Sequence, residues 1–262
     1  MLRTRVLTAL VALPAVLVLV VLPSDWLFTV LIGGLGAVGL SEIGLMTGAR
    51  RPGAILILLA AGGAPMALML YRERGSWIAA AAVLAAMLAL TAMVAISGAD
   101  GDGEGLPLTI LGALYVGITF PYFALLRNRE DGIRSLILML LLVIASDTGA
   151  YFAGRSLGRI KLARKVSPNK TVEGALGGLM LAVAAGWLLG GWLAPSWPLK
   201  TLLVASAAIG AAAQLGDLAN SAYKRVAGVK DSGWIFPGHG GLLDRASSLV
   251  FAAVFTYYYS TW

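Results

Sequence analysis

Residues 134–153 read RSLILMLLLVIASDTGAYFA, and this stretch decides the class of fold. Ten consecutive apolar residues at 136–145 are followed by a single acidic residue, Asp147. An α-helix needs about 20 predominantly apolar residues to cross a bilayer. The sequence therefore predicts an all-α, polytopic integral membrane protein with about nine transmembrane helices. The other apolar runs are 6–22, 26–48, 54–70, 77–97, 107–126, 174–194, 199–220 and 247–262.

The overall composition agrees with a membrane protein. Of the 262 residues, 59% are hydrophobic and 13% are charged, whereas soluble domains carry about a quarter charged residues. The chain has no cysteine and one histidine, His239. This excludes a disulfide framework and metal sites built from thiolates or clustered histidines. We attribute the net charge of +7 to membrane orientation and lipid headgroups, and expect no nucleic acid as partner.

The distribution of Lys and Arg predicts the orientation in the membrane. With the N-terminus in the cytoplasm, fourteen of the 20 basic residues fall in inner segments and six in outer ones, which the positive-inside rule favours. The alternative is one span fewer in the first half, which would invert the N-terminus without moving the two basic C-terminal loops. Arg3 and Arg5 precede the first apolar run and no small-residue cleavage site follows it. We therefore expect a first span rather than a signal peptide, in a multi-pass protein of the inner, cytoplasmic membrane.

Polar residues are concentrated in the second half of the chain. We interpret residues 1–140 as N-terminal scaffold helices and residues 141–262 as the C-terminal catalytic region, within one continuous membrane domain. The first polar cluster is Asp147 in SDTGAYFAG. An acidic residue in an apolar span is costly to bury, so it usually has a partner or a function. Glu42 falls under the same rule, with a hydrogen bond between helices as the alternative.

The second cluster is the stretch KVSPNKTVEG at 165–174. Ser167 followed by Pro168 predicts a helix N-cap with proline at the first helical position. A helix start beside Lys165 and Lys170 would offer backbone N–H groups and cations to a phosphate. The alternative is a basic loop whose charge only satisfies the topology rule. Two further candidate substrate contacts in this stretch are Thr171 and Glu173.

The third cluster lies in GDLANSAYKR at 216–225. Spacings of four and three residues place Asp217, Ser221 and Lys224 on one helical face, and Arg225 follows. The face runs from a carboxylate to cations, as expected where a span exits toward a charged substrate. A stripe of surface ion pairs is the alternative.

The fourth cluster is KDSGWIFPGHGGLLDR at 230–245. Glycines around His239 let the backbone approach an anion closely and adopt positive φ. The charged pairs at 230–231 and 244–245 flank the glycines on both sides. Carboxylates beside cations at a membrane surface suit phosphoryl or nucleotidyl transfer, in which Mg²⁺ bridges phosphates and cations neutralise the leaving group. The candidate residues of this cluster are Lys230, Asp231, Gly238, His239, Gly240, Gly241, Asp244 and Arg245.

The motifs resemble those of the phosphatidate cytidylyltransferase (CDP-diacylglycerol synthase) family. The stretch from Ser221 to Arg245 is similar to the family signature almost throughout, and Asp147 to Tyr151 and Ser167 to Gly174 resemble its upstream motifs. The resemblance implies that CTP and phosphatidic acid are converted to CDP-diacylglycerol and pyrophosphate with Mg²⁺. It also implies a many-span helical fold, often assembled as a homodimer.

The resemblance also implies roles for the candidate residues. Asp217 and Asp244 would hold Mg²⁺ on the CTP triphosphate, and phosphatidic acid would enter sideways from the bilayer. Whether a second metal or a monovalent cation joins Mg²⁺ is left open. Asp147 and Glu173 would orient cations or that second metal. Phosphate contacts are expected from Lys224, Arg225, the loop around His239, Lys170 and Arg245, and we expect His239 to act by position rather than as a proton donor.

One position departs from the family pattern. The family usually has a second aspartate three residues after the position of Asp244, and this chain has Ser247 there. A catalytically weak relative with a regulatory role would fit this departure. The polar clusters are also compatible with a polyprenol kinase, an ether-lipid cytidylyltransferase, or a transporter that binds an anion.

Overall fold

The computed structural model describes residues 18–21, 23–47, 62–63, 105–235 and 240–260. Within these residues the chain forms seven long or medium helices and one hairpin. All of the predicted span 77–97, and most of the predicted spans 6–22 and 54–70, lie outside the described residues. The elements are α1 (Asp25–Met46), α2 (Gly105–Thr119), α3 (Pro121–Arg127), α4 (Gly132–Leu157), β1 (Lys161–Ala163), β2 (Ser167–Thr171), α5 (Val172–Leu193), α6 (Leu199–Val226) and α7 (Leu242–Tyr259).

Five helical segments of the described chain are long and apolar enough to cross a membrane. This confirms a predominantly helical membrane protein. The predicted span at 247–262 is present as α7, but it is not one of the five. Its first turns carry Asp244, Arg245 and two serines, which lower its apolar character. The five are Asp25–Met46, Pro107–Arg127, Gly132–Leu157, Val172–Leu193 and Leu199–Val226.

The stretch around Ser167 is not a helix start, so that prediction was wrong. Ser167–Thr171 is instead the second strand of an antiparallel hairpin, with Lys161 opposite Thr171 and Ala163 opposite Ser167. The helix begins at Val172, because the Thr171 hydroxyl accepts a hydrogen bond from the Gly174 N–H at 3.1 Å and caps the first turn. The hairpin also makes the fold less than purely helical.

Small residues set the distances between the helices that follow. A Cβ on Gly149 of α4 would come 2.5 Å from the carbonyl oxygen of Gly177 in α5. A Cβ on Gly216 of α6 would collide with the carbonyl oxygen of Ser247 in α7. Glycine at these positions lets helix backbones approach closely, the usual way in which helices pack in membranes. The polar ends of α4, α5, α6 and α7 are therefore held near one another.

Basic residues gather at one end of this helix bundle. Of the fourteen Lys and Arg in the described residues, ten lie between Arg155 and Lys170 or near the junction of α6 and α7. The opposite end is held by Arg127, which is buried and donates to Asp25 Oδ1 at 2.8 Å and to the Val20 carbonyl at 2.8 Å. The four predicted polar clusters thus fall at the more basic end.

Candidate active site

A cavity of about 580 Å³ lies between α4, the hairpin, α5 and α6. It brings together residues from three of the four sequence clusters. Asp147 comes from α4, Lys170 and Thr171 come from the end of β2, and Asp217 comes from α6. Arg155, Asn169 and Gln214 complete its polar lining, and Tyr151 and Leu162 are among the apolar residues.

An ion pair crosses this cavity. Lys170 Nζ lies 2.7 Å from Asp217 Oδ2, and the Asp217 side chain is 43% exposed. Asp147 lines the same space, so two carboxylates and the Lys170 ammonium share one cavity, with the Arg155 guanidinium at its rim. This is an arrangement that can hold a polyanion together with a cation, because charges of both signs face a partly solvated space.

Gln214 is a cavity residue that the sequence analysis missed. Its amide nitrogen donates to Ser146 Oγ at 3.1 Å and to the Ala175 carbonyl at 3.1 Å. Gln214 therefore ties α6 to both α4 and α5 just above the carboxylates. A polar side chain within an apolar helix was the signal that could have identified it.

Glu173 has a structural role in the hairpin. Its carboxylate accepts hydrogen bonds from the backbone N–H groups of Arg159 at 3.1 Å and Ile160 at 3.2 Å. These bonds close the base of the hairpin, next to the first turn of α5. Glu173 is not among the described residues that line the cavity, so its predicted role in orienting cations stays a prediction.

Asp244 lies at the centre of a second polar network. Its Oδ2 accepts from the Ser232 N–H at 2.8 Å, the Ser232 hydroxyl at 3.0 Å and the Gly241 N–H at 3.0 Å. Its Oδ1 accepts from Lys224 Nζ and, at 3.4 Å, from Asn220. The two ends of the predicted helical face, Asp217 and Lys224, therefore belong to different ion pairs. Asp217 pairs with Lys170, and Lys224 pairs with Asp244.

The loop glycines approach carboxylates of the protein itself. Gly240 has φ of +80°, and a Cβ there would collide with Asp244 Oδ2. A Cβ on Gly241 would lie 2.5 Å from both carboxylate oxygens of Glu42. These two glycines therefore lie against Asp244 and Glu42 of the protein itself, and their predicted contact with a substrate anion stays a prediction. Gly238 and His239 lie outside the described residues.

The remaining candidate residues are not among the described residues that line the cavity. Arg225 donates from Nε to the Val166 carbonyl at 3.4 Å, which connects α6 to the hairpin. Ser167 is half-buried in β2, and Ser221 is half-buried on α6. Side chains on the exposed surface are Lys165, Lys230, Asp231 and Arg245.

The residues present fit a magnesium ion that substrate phosphates help to bind. The described residues contain no group of three or more His, Cys, Asp or Glu side chains that could hold a metal. Mg²⁺ does not require one, because it usually binds through one or two carboxylates together with phosphates and water. Asp217 is accessible from the cavity. Asp244 is not among the described residues that line the cavity, and both its carboxylate oxygens accept hydrogen bonds within the protein, so it would bind through Oδ1 only after Lys224 is released.

Comparison with known proteins agrees with these features. The cytidylyltransferase family matches residues 3–262, nearly the whole chain. Phosphatidate cytidylyltransferase of Bacillus subtilis is 36% identical over 261 residues, or 98% of this chain and 96% of that protein. The Brucella suis phosphatidate cytidylyltransferase is 42% identical over 164 residues, or 60% of this chain and 57% of that protein. The similarity thus extends beyond the motif-bearing half and confirms the predicted family.

Proposed function

This chain belongs to the cytidylyltransferase family, and from that premise we propose that it is a phosphatidate cytidylyltransferase. It converts CTP and phosphatidic acid into CDP-diacylglycerol and pyrophosphate. The observation that carries the proposal is the cavity in which Lys170 pairs with Asp217 beside Asp147. It combines fixed cations for phosphates with carboxylates for a metal ion, in a protein similar over nearly its full length to a relative that bears this name.

The chemistry is one in-line displacement. A phosphate oxygen of phosphatidic acid attacks the α-phosphorus of CTP. A new P–O bond forms while the bond from the α-phosphorus to the oxygen that bridges to the β-phosphate breaks. Pyrophosphate leaves with the electron pair of that bond. A phosphate monoester is already an anionic nucleophile, so no serine or cysteine needs to be activated.

The cations of the cavity hold the triphosphate. Lys170 and Arg155 place positive charge beside the space where charge accumulates on the leaving pyrophosphate. Lys224 forms an ion pair with Asp244. To contact a phosphate of the substrate, it gives up that ion pair. Arg225 contacts the hairpin at the Val166 carbonyl.

Asp217 and Asp244 would hold Mg²⁺, with Asp147 available to orient a further cation. When bound, Mg²⁺ neutralises phosphate charge and stabilises the leaving group. Asp217 would hold the ion at the cavity, and Gln214 links the helices that carry Asp147 and Asp217. A carboxamide in place of the Asp217 carboxylate would retain the shape but lose the charge that attracts the ion.

We also propose the setting of the reaction. The chain spans the inner, cytoplasmic membrane about nine times, and the basic end with its cavity faces the cytoplasm, where CTP is available. The concentration of basic residues at that end supports this orientation. Phosphatidic acid reaches the cavity from the bilayer, and the protein works as a homodimer.

The direct test is an assay of purified protein in detergent with phosphatidic acid, CTP and Mg²⁺. CDP-lipid and pyrophosphate are measured together, and Asp217→Asn serves as the matched control. We expect equimolar lipid product and pyrophosphate, both abolished in the control. Free CDP with a phosphorylated lipid would indicate a kinase instead. CTP binding without either product would contradict the proposed function and favour an anion-binding or regulatory protein.

A further inference from the structure

Glu42 is a fully buried carboxylate in the N-terminal part of the chain, 1% exposed. Its Oε1 accepts from the Leu242 N–H at 2.6 Å, and its Oε2 accepts from the Leu243 N–H at 2.9 Å and from the Ser232 hydroxyl at 3.0 Å. The Leu242 and Leu243 N–H groups open α7 and have no partner within their own helix. Glu42 thus supplies from α1 the negative charge that a helix start favours.

Two described parts of the segment between α6 and α7 lie against this carboxylate. A Cβ on Gly233 would come 2.8 Å from Glu42 Oε1, and a Cβ on Gly241 would come 2.5 Å from both carboxylate oxygens. Gly233 and Gly241 therefore both lie against Glu42, and neither position tolerates a larger residue without a shift. In the described structure, Gly233 and Gly241 are therefore in contact with the Glu42 side chain.

Residues of the same two parts of this segment, Ser232 and Gly241, also bind the Asp244 carboxylate. The Ser232 hydroxyl lies 3.0 Å from Glu42 Oε2 and 3.0 Å from Asp244 Oδ2. The Ser232 and Gly241 N–H groups donate to Asp244 Oδ2. Ser232 and Gly241 are therefore shared between the two carboxylates. A displacement of Glu42 would move the groups that orient Asp244, although Glu42 and Asp244 come from opposite halves of the chain.

We propose that Glu42 is a positioning residue for cytidylyl transfer. It holds Ser232 and the start of α7 at residues 241–243 in one arrangement, and with them the Asp244 carboxylate that Ser232 and Gly241 contact. The inference rests on the proposed function for its effect on rate, but the geometry of the loop can be tested without activity. Glu42 contacts backbone and Ser232, and acts on the reaction through Asp244.

The first experiment compares Glu42→Gln with Ser41→Ala. Glutamine keeps the shape but sets an NH₂ group against N–H donors, whereas the Ser41 hydroxyl donates within its own helix, to the Val38 carbonyl at 2.7 Å. For Glu42→Gln we expect kcat to fall about 10- to 100-fold, as for other residues that orient ligands. We expect KM for phosphatidic acid to be unchanged, and Ser41→Ala to match the parent. Ser232→Ala, which removes only the shared hydroxyl, should give a smaller loss of the same kind.

The second experiment follows the loop directly. The chain has no cysteine, so Trp234→Cys, at a loop position 81% exposed, provides the sole site for a spin label. We expect Glu42→Gln to raise the mobility of the label and Ser41→Ala to leave it unchanged. Unchanged mobility in both Glu42→Gln and Ser232→Ala would overturn the proposal. Raised mobility of the label in Glu42→Gln together with an unchanged kcat would show that Glu42 has only a structural role, which would also contradict the proposal. No transfer by the parent chain would refute the proposed function, while the label would still decide whether Glu42 holds the loop.

Discussion

Lys170 at the end of the hairpin and Asp217 on α6 form an ion pair across the cavity, with 2.7 Å between Nζ and Oδ2. The two residues are far apart in sequence. They meet because the chain leaves the hairpin along α5 and returns along α6. The pair gives the cavity a cation whose position is fixed before any substrate binds. This preorganisation is what a polyanionic substrate requires, because no reorganisation is then needed during the reaction.

Replacement of Lys170 by Gln should weaken the use of CTP. We expect kcat/KM for CTP to fall about 100-fold, the effect of removing one fixed donor from a developing charge. Initial rates at varied CTP and saturating phosphatidic acid measure this. Lys161→Gln is the matched control, because Lys161 lies exposed on β1 and outside the cavity lining. Equal rates in the two variants would exclude Lys170 from the site.

Asp244→Asn and Asp217→Asn should both impair activity but differ in stability. Asp244 accepts hydrogen bonds from Lys224, Asn220, Ser232 and Gly241, whereas Asp217 is partly exposed and pairs with Lys170. Removal of one partner from a buried charge pair costs about 3–5 kcal/mol. We therefore expect a lower midpoint of thermal unfolding for Asp244→Asn than for Asp217→Asn. Equal midpoints in detergent would show that the Asp244 network contributes little to stability.

The position of Ser247 offers a test of the departure from the family pattern. Ser247 is 2% exposed at the contact between α6 and α7. An aspartate there would bury a charge, which is costly without a partner. We expect Ser247→Asp to lower the midpoint of thermal unfolding in EDTA and Mg²⁺ to restore part of the loss, whereas Ser247→Ala should not respond to Mg²⁺. If Mg²⁺ restores nothing, position 247 does not face the metal site in this chain.

The close contact of α4 with α5 should be sensitive to a single methyl group. In Gly149→Ala the new Cβ would lie 2.5 Å from the Gly177 carbonyl oxygen, so the helices must separate and the cavity between them must change shape. We expect a lower unfolding midpoint and reduced activity. Gly191→Ala is the control, because a Cβ there meets nothing within 4 Å. An unaltered Gly149→Ala protein would contradict the close approach of the two backbones.

Much of the site was predictable because its residues occur in short clusters. Asp147, Lys170 and Asp217 were identified as charged residues next to apolar runs, and the structure places all three in one cavity. The helix start at Ser167 was predicted wrongly. Ser-Pro satisfies local preferences at a helix start, but pairing with β1 satisfies more backbone groups. Such pairing depends on the neighbouring strand β1, so the residues around Ser167 alone do not predict it.

The sequence by itself determined the membrane class, the family and the position of those helical segments that the structure describes, because these depend on composition, on the length of apolar runs and on local motifs. Only the tertiary structure decided which charges meet. Lys224 bonds Asp244 rather than a partner on its own helix, and Glu42 bonds the start of α7, 200 residues further along the chain. A buried carboxylate must find donors wherever the packed helices bring them, and that placement is a property of the whole fold.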